Sequence, residues 1–128
     1  MWAHTWQIDS PPTVDGVIVG ALHNGYGYCE FGEIHRSTAA DAHQAAIGTM
    51  VHELGHLIFG FPDLYDTDGS SDGIGIYDVM AGGSWGKKET DPYQGMTPVQ
   101  PSAWTRTTLS WLVPPEGNGI QAVTDAVD

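Results

Sequence analysis

The segment from residue 38 to residue 59 restricts the fold most, because it carries a clear helical pattern. Thr38 can cap its start, with Asp41 three residues later as the reciprocal partner. The apolar residues that recur at helical spacing and can face a core are Ala46, Met50, Leu54, Leu57 and Ile58. Gly60 suits the left-handed position after a helix, and Pro62 prevents continuation. The sequence therefore predicts one long helix with a sharp end.

Turn-forming residues dominate the chain on both sides of this helix. Val17-Ile18-Val19 is typical of a short strand, and Asp15-Gly16 before it is a turn signal. Residues 61–100 form a predicted loop rich in glycine, and so long a loop inside a compact domain is usually functional. A second helix is predicted over residues 102–112. The length of 128 residues and the 41% hydrophobic content favour a single globular domain.

The charge balance excludes some classes of partner. The formal net charge is −12, from 16 acidic and 4 basic residues. Nucleic acids and anionic membrane surfaces attract Lys and Arg, so neither is an expected partner. No apolar run is long enough to cross a membrane, and no basic-apolar signal peptide opens the chain. Cys29 is the single cysteine, so an internal disulfide is excluded.

The predicted helix contains a pattern that predicts metal chemistry, His52-Glu53-Leu54-Gly55-His56. Residues four apart lie on one helical face, so both imidazoles can reach one ion. A catalytic zinc site has three protein ligands and leaves one position for water. Glu53 can reach that water and act as its general base. A histidine pair that occurs by chance is the alternative, and Gly55 in mid-helix is then an unexplained cost.

A third zinc ligand is required, and three residues are candidates. Asp63 is the first residue after the Pro62 turn with a ligand atom, and a capping or turn carboxylate is its alternative role. Asp66 is the next candidate along the chain. Glu89 is a downstream alternative, although its lysine neighbours suggest a solvated turn. We expect Asp63 to complete the site.

The segment from Asp66 to Gly73 alternates oxygen-bearing side chains with glycines. Asp66, Asp68 and Asp72 could supply carboxylate oxygens to Ca²⁺, which binds such ligands. The segment lacks the terminal Glu of an EF-hand, and a polar surface loop is the alternative.

Most of the chain resembles the immune inhibitor A-type metallopeptidases, which are secreted endopeptidases related in architecture to the metzincins. The segments that carry the resemblance are Trp2–Trp6, His52–Asp68, Gly73–Trp85, Pro101–Arg106 and Leu109–Leu112. The resemblance implies an α+β, metzincin-like zinc peptidase core with an active-site helix, a long glycine-rich loop and a C-terminal helix. It also implies a truncated or minimal upper sheet, so that residues 1–128 are a fragment or minimal version of a catalytic domain.

The same resemblance implies roles for individual residues. His52 and His56 match zinc ligands, Glu53 the base, Asp63 the acidic third ligand, and Met80 a methionine turn beneath the metal. A secreted enzyme acting on protein or peptide substrates follows. Compared with the metzincin pattern, Gly60 and Asp63 each lie one residue later, as if Phe59 were inserted. The alternative function is an inactive metal-binding fragment or structural module of a larger secreted protein.

The remaining aromatic and histidine residues have simpler expected roles. We expect three tryptophans to lie in the core: Trp85, Trp104 and Trp111. Tyr77 and Tyr93 could donate a hydrogen bond to a reaction oxyanion, although core packing is the simpler role. The histidines outside the motif are expected to be packed or solvated: His4, His23, His35 and His43.

Overall fold

The computed structural model describes residues 3–20, 27–35 and 38–111, which form a small α+β fold. The strands are β1 (His4–Trp6), β2 (Thr13–Val14), β3 (Val17–Ile18), β4 (Tyr28–Glu30), β5 (Ile34–His35) and β6 (His43–Gln44). Helix α1 spans Ile47–Phe59, a 3₁₀ helix spans Gly82–Trp85, and helix α2 spans Ala103–Thr108. The features expected at Trp2, His23 and Leu112 lie outside the described residues. No helix among the described residues is long and apolar enough to cross a membrane.

The strands form three antiparallel ladders of two strands each: β1 with β4, β2 with β3, and β5 with β6. The predicted turn at Asp15-Gly16 joins β2 to β3, and both residues have positive φ angles of 51° and 79°. Two such residues make the tight turn that matches the twist of a hairpin. The β1–β4 ladder lies against α1, because the Thr5 side chain hydrogen-bonds to a residue of that helix.

The predicted start of the first helix at residue 38 is wrong, because α1 begins at Ile47. The backbone N–H and the hydroxyl of Thr38 do donate to Asp41 Oδ1, over 2.6 and 3.0 Å. These bonds close a local turn instead of a helix, as Thr and Asp side chains often do. Strand pairing of His43–Gln44 with β5 then excludes helix up to that point. The helix starts without a side-chain cap, and Gly48 N–H donates to the Gly95 carbonyl instead.

The predicted end of the helix is confirmed. Gly60 follows Phe59 with a φ angle of 67°, in the left-handed region that glycine adopts without strain. Its N–H donates to the His56 carbonyl over 3.0 Å, and Phe61 N–H donates to the Gly55 carbonyl over 3.3 Å. These two bonds satisfy carbonyls at the end of the helix and turn the chain back towards it.

Two glycines allow the later part of the chain to lie directly on α1. A side-chain carbon at Gly55 would meet Met80 Sδ at 2.5 Å, so that position must be glycine. A side-chain carbon at Gly48 would collide with the Ser84 carbonyl and lie 3.0 Å from that of Gly95. The helix is therefore covered by close backbone and side-chain contacts along its buried face.

The core is small, and it consists of buried residues that mostly follow α1: Ala46, Phe61, Val79, Met80 and Ala81. Val51, Leu64 and Leu109 pack against the Phe61–Val79–Met80 cluster. The expected core role of Ile58 is wrong, because it is 49% exposed. The buried residues of the helix are instead Gly48, Glu53, Gly55 and His56. The most buried face of the helix is thus the one that carries polar chemistry.

The tryptophans do not fill the core, contrary to expectation. Trp85, Trp104 and Trp111 are 50%, 54% and 54% exposed. Tyr77 is 76% exposed, and Tyr93 is 40% exposed, stacked on His43 with ring centroids 3.6 Å apart. Helix α2 ends before the predicted residue 112 for local reasons. The Thr107 and Thr108 hydroxyls donate to backbone carbonyls of its first turn, and Ser110 has a positive φ of 58°.

A buried carboxylate joins the loop after α1 to the second helix. Asp78 is fully buried, and its Oδ1 accepts from Met80 N–H over 2.7 Å. Its Oδ2 accepts from Ser102 N–H over 2.8 Å and from the Thr105 hydroxyl over 2.5 Å. Ser102 also caps α2 as predicted, because its side chain accepts from Thr105 N–H. Asp78 therefore fixes the 78–80 segment beneath α1.

We expect Asp78→Ala to lower the free energy of unfolding by about 3 kcal/mol, because it leaves several buried donors without an acceptor. Chemical denaturation measures this change. Asp91→Ala is the matched control, because Asp91 accepts similar bonds from Lys88 N–H and the Thr97 hydroxyl nearer the surface. An equal loss in both variants would contradict a special role for the buried carboxylate.

This contribution should depend on pH with a defined sign. Burial raises the pKa of Asp78, but hydrogen bonds from Thr105, Met80 and Ser102 outweigh it and hold the pKa below its ordinary value. A lowered pKa in the folded state stabilises the protein above the unfolded value of about 3.9, and the effect is lost as pH falls through the folded value. The difference in stability between wild type and Asp78→Ala should therefore shrink below about pH 4.

Candidate metal centre

Three side-chain atoms converge at the end of α1. His52 Nε2 and His56 Nε2 are 3.2 Å apart, and each lies 3.1 Å from Asp63 Oδ1. In a tetrahedral site with metal–nitrogen bonds of about 2.0–2.1 Å, neighbouring ligand atoms lie about 3.3–3.4 Å apart. The observed triangle nearly matches that spacing. Among the described residues, it is the one group of three or more His, Cys, Asp or Glu side chains close enough to hold a metal ion.

The contact that each Nδ1 atom makes indicates the tautomer of its imidazole, and therefore whether Nε2 faces the triangle with a lone pair. His52 Nδ1 lies 3.0 Å from the Val79 carbonyl, and His56 Nδ1 lies 2.5 Å from the Phe61 carbonyl. A carbonyl oxygen only accepts, so each Nδ1 carries a hydrogen and each neutral ring has its lone pair on Nε2. Backbone carbonyls orient metal-bound histidines in the same way.

Asp63 Oδ1 is buried, and in this tautomer no hydrogen bond reaches it. A buried acceptor without a hydrogen-bond donor destabilises the fold, and this oxygen also faces the lone pairs of the two Nε2 atoms. Only a shared proton or a cation at the centre can satisfy all three atoms. The donor set of two imidazoles and one carboxylate is one that zinc and similar divalent ions accept. The residues present therefore fit a metal ion.

The charges of the centre favour a cation. Burial raises the pKa of the Asp63 carboxyl, but the adjacent His52, His56 and Tyr65 side chains outweigh it and hold the pKa well below its usual range. Asp63 is therefore ionised throughout the physiological pH range. Burial lowers the pKa of His56, but hydrogen bonding to Asp63 and to the Phe61 carbonyl outweighs it, and the net pKa is raised. A positive charge is thus favoured at the centre of the triangle.

The structure brings Asp63 to the two histidines, but neither Asp66 nor Glu89 joins the group. Helix α1 extends through Phe59, the residue that the resemblance suggested as an insertion. The Gly60 turn then returns the chain, and Asp63 reaches both Nε2 atoms. Glu89 is exposed in the loop, as a solvated turn residue would be.

The calcium expectation for Asp66, Asp68 and Asp72 finds no support, because these carboxylates do not form a group that could hold a metal ion. The Asp66 carboxylate instead accepts from the N–H groups of Asp68, Gly69 and Ser71. These bonds, chiefly those from Ser71 and Asp68, lower the pKa of Asp66 to about 2. Asp66 therefore organises its own loop, as Asp does in many turns.

Glu53 lies beside the triangle without belonging to it. It is 6% exposed, and its Oε2 lies 2.8 Å from the Thr5 hydroxyl of β1. The same hydroxyl lies 2.9 Å from the Glu53 carbonyl oxygen. A hydroxyl has one proton, so Thr5 donates to one of these oxygens at a time. The β1 strand thus restricts where the Glu53 carboxylate can point.

Three contacts of the site were not predicted from the sequence. Thr5 holds Glu53, Asp78 anchors the segment whose Val79 carbonyl orients His52, and the ring of Tyr65 stacks on His52. The Thr5 contact joins residues 48 positions apart, and no local pattern indicates it. Tyr65 follows Asp63 by two residues, and this proximity was the one available signal.

Comparison with known proteins identifies the family of this chain. The model of the immune inhibitor A peptidase M6 catalytic domain matches residues 1–112. Immune inhibitor A of Bacillus thuringiensis subsp. alesti is 31% identical over 91 residues, which is 69% of this chain and 12% of that protein. The chain thus spans about an eighth of the length of this curated relative. No solved structure matches. The chain belongs to the immune inhibitor A peptidase M6 family, and the match lies in its catalytic domain.

Proposed function

We propose that this domain is a zinc-dependent endopeptidase that hydrolyses peptide bonds of protein or peptide substrates. The observation that carries the proposal is the triangle of His52 Nε2, His56 Nε2 and Asp63 Oδ1, with edges of 3.1–3.2 Å. These three atoms would hold the zinc ion. Membership of a peptidase family supports hydrolysis as the reaction.

The protein's own residues supply the proton transfers. Zinc, when bound, would polarise the attacking water and the substrate carbonyl. Glu53 would accept a proton from that water and then donate it to the leaving amine. Thr5 keeps the Glu53 carboxylate oriented through its hydroxyl. Met80 packs against Gly55, and it would serve as the methionine turn beneath the metal.

Membership of this family also supports an extracellular location for the activity. We propose that the domain acts outside the cell, where a secreted peptidase meets protein substrates. The alternative is an inactive metal-binding module of a larger secreted protein. Glu53 favours catalysis, because a structural site needs no base next to its ligands.

Removal and return of the metal test the proposal. The purified protein should contain one equivalent of zinc and cleave a fluorogenic peptide library, lose cleavage after chelation, and regain it when zinc is added. His56→Ala should lose both zinc and cleavage, because one ligand of the triangle is gone. Cleavage that survives complete chelation would contradict the proposal. One bound zinc without cleavage would support the structural alternative.

We expect Thr5→Val to lower kcat roughly 10- to 100-fold while KM and zinc content stay unchanged, because misplacing a reacting group costs about this much. The substitution keeps the shape of the side chain and removes only the hydroxyl that contacts Glu53. Thr5→Ser restores a hydroxyl and should recover most of the activity. A Thr5→Ser variant as slow as Thr5→Val would show that packing, not the hydrogen bond, is responsible.

A further inference from the structure

We propose that a cleft between residues 43–47 and residues 92–96, the β6 cleft, binds an extended stretch of the peptide substrate and takes up one of its apolar side chains. The inference rests on the proposed peptidase function and names a feature of its substrate. The cleft shares no residue with the triangle of His52, His56 and Asp63.

The β6 cleft has a volume of about 330 Å³ and a mostly apolar lining. Residues 43–47, which include β6 and the first residue of α1, form one wall, and Pro92, Tyr93 and Met96 form the other. Ile47 and Met96 are 48% and 43% exposed, so a ligand in the cleft would remove apolar surface from water. The volume is at the small end of ligand pockets and suits one large apolar side chain.

The backbone of β6 presents unpaired hydrogen-bonding groups beside this cleft. Ala45 N–H donates to the Glu33 carbonyl over 2.8 Å, and the next pair in the register is Ile34 with Gln44. Bonding alternates along an antiparallel ladder, so the N–H and the carbonyl of Gln44 point away from β5. No backbone group of the described residues bonds to either of them. Gln44 therefore offers one donor and one acceptor, as an edge strand does.

The walls of the cleft are held in place without a ligand. The His43 and Tyr93 rings stack in parallel, with centroids 3.6 Å apart and planes at 4°. His43 Nδ1 lies 2.8 Å from the Asp41 carbonyl, which fixes the imidazole from the other end. Gly48 N–H donates to the Gly95 carbonyl and ties the second wall to α1. A cleft formed in advance lowers the entropic cost of binding.

These features together select an extended peptide as the ligand. A donor and an acceptor on one residue of a strand edge match the backbone of another extended chain, and an adjacent apolar pocket selects a side chain. A helical ligand has its own backbone groups paired and cannot use the edge. A small apolar molecule would fill the cleft but leave Gln44 unpaired.

The position of the cleft on α1 allows one substrate to reach both the cleft and the metal centre. Ile47 and His52 are five residues apart on the helix, which corresponds to about 7–8 Å along its axis. An extended peptide covers that distance in about two to three residues. The apolar side chain would thus lie a few residues from the peptide bond that is cleaved.

Amide NMR spectra of the ¹⁵N-labelled full chain test the docking directly. The chain carries Glu53→Gln, so that the peptide is not consumed, and the probe is a decapeptide of alternating Thr and Ser with one central Leu. We expect the Gln44 amide signal to shift on titration. A peptide with Asp in place of Leu should bind about 10-fold more weakly or worse, because a carboxylate gains nothing from an apolar cleft.

Two isoleucines of α1 provide a matched pair of variants. Ile47→Asn places an amide in the cleft and should weaken binding of the Leu peptide about 10-fold. Ile58→Asn is the control, because Ile58 is 49% exposed on the same helix but outside the cleft. It should bind like the parent protein. Equal affinity in both variants, or no shift of Gln44, would overturn the inference.

Single N-methylation along the Leu peptide tests the strand pairing. The affinity should fall at alternate positions, because only every second residue of an added strand bonds to the edge. Equal affinities throughout the series would overturn the pairing with β6.

Cleavage by the wild type separates this inference from the proposed function. The KM of the Leu peptide should be about 10-fold below that of the Asp peptide with equal kcat, and Ile47→Asn should remove the difference. Cleavage in which Ile47→Asn keeps the full difference would overturn the inference and leave the proposed function intact. Docking at Gln44 that Ile47→Asn weakens, with no cleavage of any peptide by the wild type, would retain the cleft as a peptide site and overturn the proposed function.

Discussion

Glu53→Gln is expected to bind zinc with wild-type affinity and to lose peptide cleavage by about a thousandfold or more. Positioned acid–base groups contribute roughly 10²–10⁴ to such rates, and Gln cannot accept the proton. Zinc should stay because Glu53 lies outside the triangle formed by the two histidines and Asp63. The fold should stay because an amide oxygen can still accept the hydrogen bond from Thr5.

The measurement combines zinc content with cleavage rate on the same preparation. Glu89→Gln is a suitable control, because it makes the same change at an exposed loop residue and should leave both values unchanged. Cleavage at the wild-type rate in Glu53→Gln would exclude Glu53 as the base. Loss of zinc in Glu89→Gln would instead show that the downstream Glu is the third ligand.

The second prediction with a large effect distinguishes the roles of Asp63 and Asp66 in zinc binding. Asp63→Ala should weaken zinc binding by more than the roughly 10- to 100-fold that an outer-shell partner contributes, because it removes a ligand atom. Asp63 Oδ1 lies 3.1 Å from both Nε2 atoms. Asp66→Ala should keep zinc affinity and lower only the stability of its loop, where its carboxylate accepts three backbone N–H groups.

Zinc titration of both variants, with thermal melting in calcium and in a calcium chelator, measures these outcomes. If Asp66→Ala lost zinc and Asp63→Ala kept it, the ligand would lie further along the chain than the structure places it. A melting temperature of the wild type that rises with calcium would revive the calcium loop. We expect no such rise.

The local parts of the site could be predicted from the sequence because they depend on periodicity and turn chemistry. Spacing of four residues places His52 and His56 on one face, and Gly60 with Pro62 ends the helix. The position of the expected third ligand needed the structure, because only the course of the chain after Phe59 shows where Asp63 points. Thr38 and Asp41 show the opposite case. The expected bond from the Thr38 N–H to the Asp41 carboxylate exists, but together with the bond from the Thr38 hydroxyl it closes a turn and not a helix.

Tertiary contacts explain what the sequence could not indicate. We expected Trp85, Trp104 and Trp111 in the core, yet each is about half exposed. The segment that covers α1 packs against its glycines through backbone and Met80 instead of through indole rings. Thr5 and Asp78 form their contacts over long sequence separations, where periodicity carries no information.

The close packing of α1 at Gly48 and Gly55 also determines when this helix can form. The helix has 13 residues and no side-chain cap, and isolated helices of this length are marginal in water. Gly55, in mid-helix, costs about 1 kcal/mol relative to alanine. On its own we therefore do not expect the segment to nucleate folding. We expect it to become helical when residues 80–95 pack against it, so that both histidines and the loop that orients them assemble in one cooperative, non-local step.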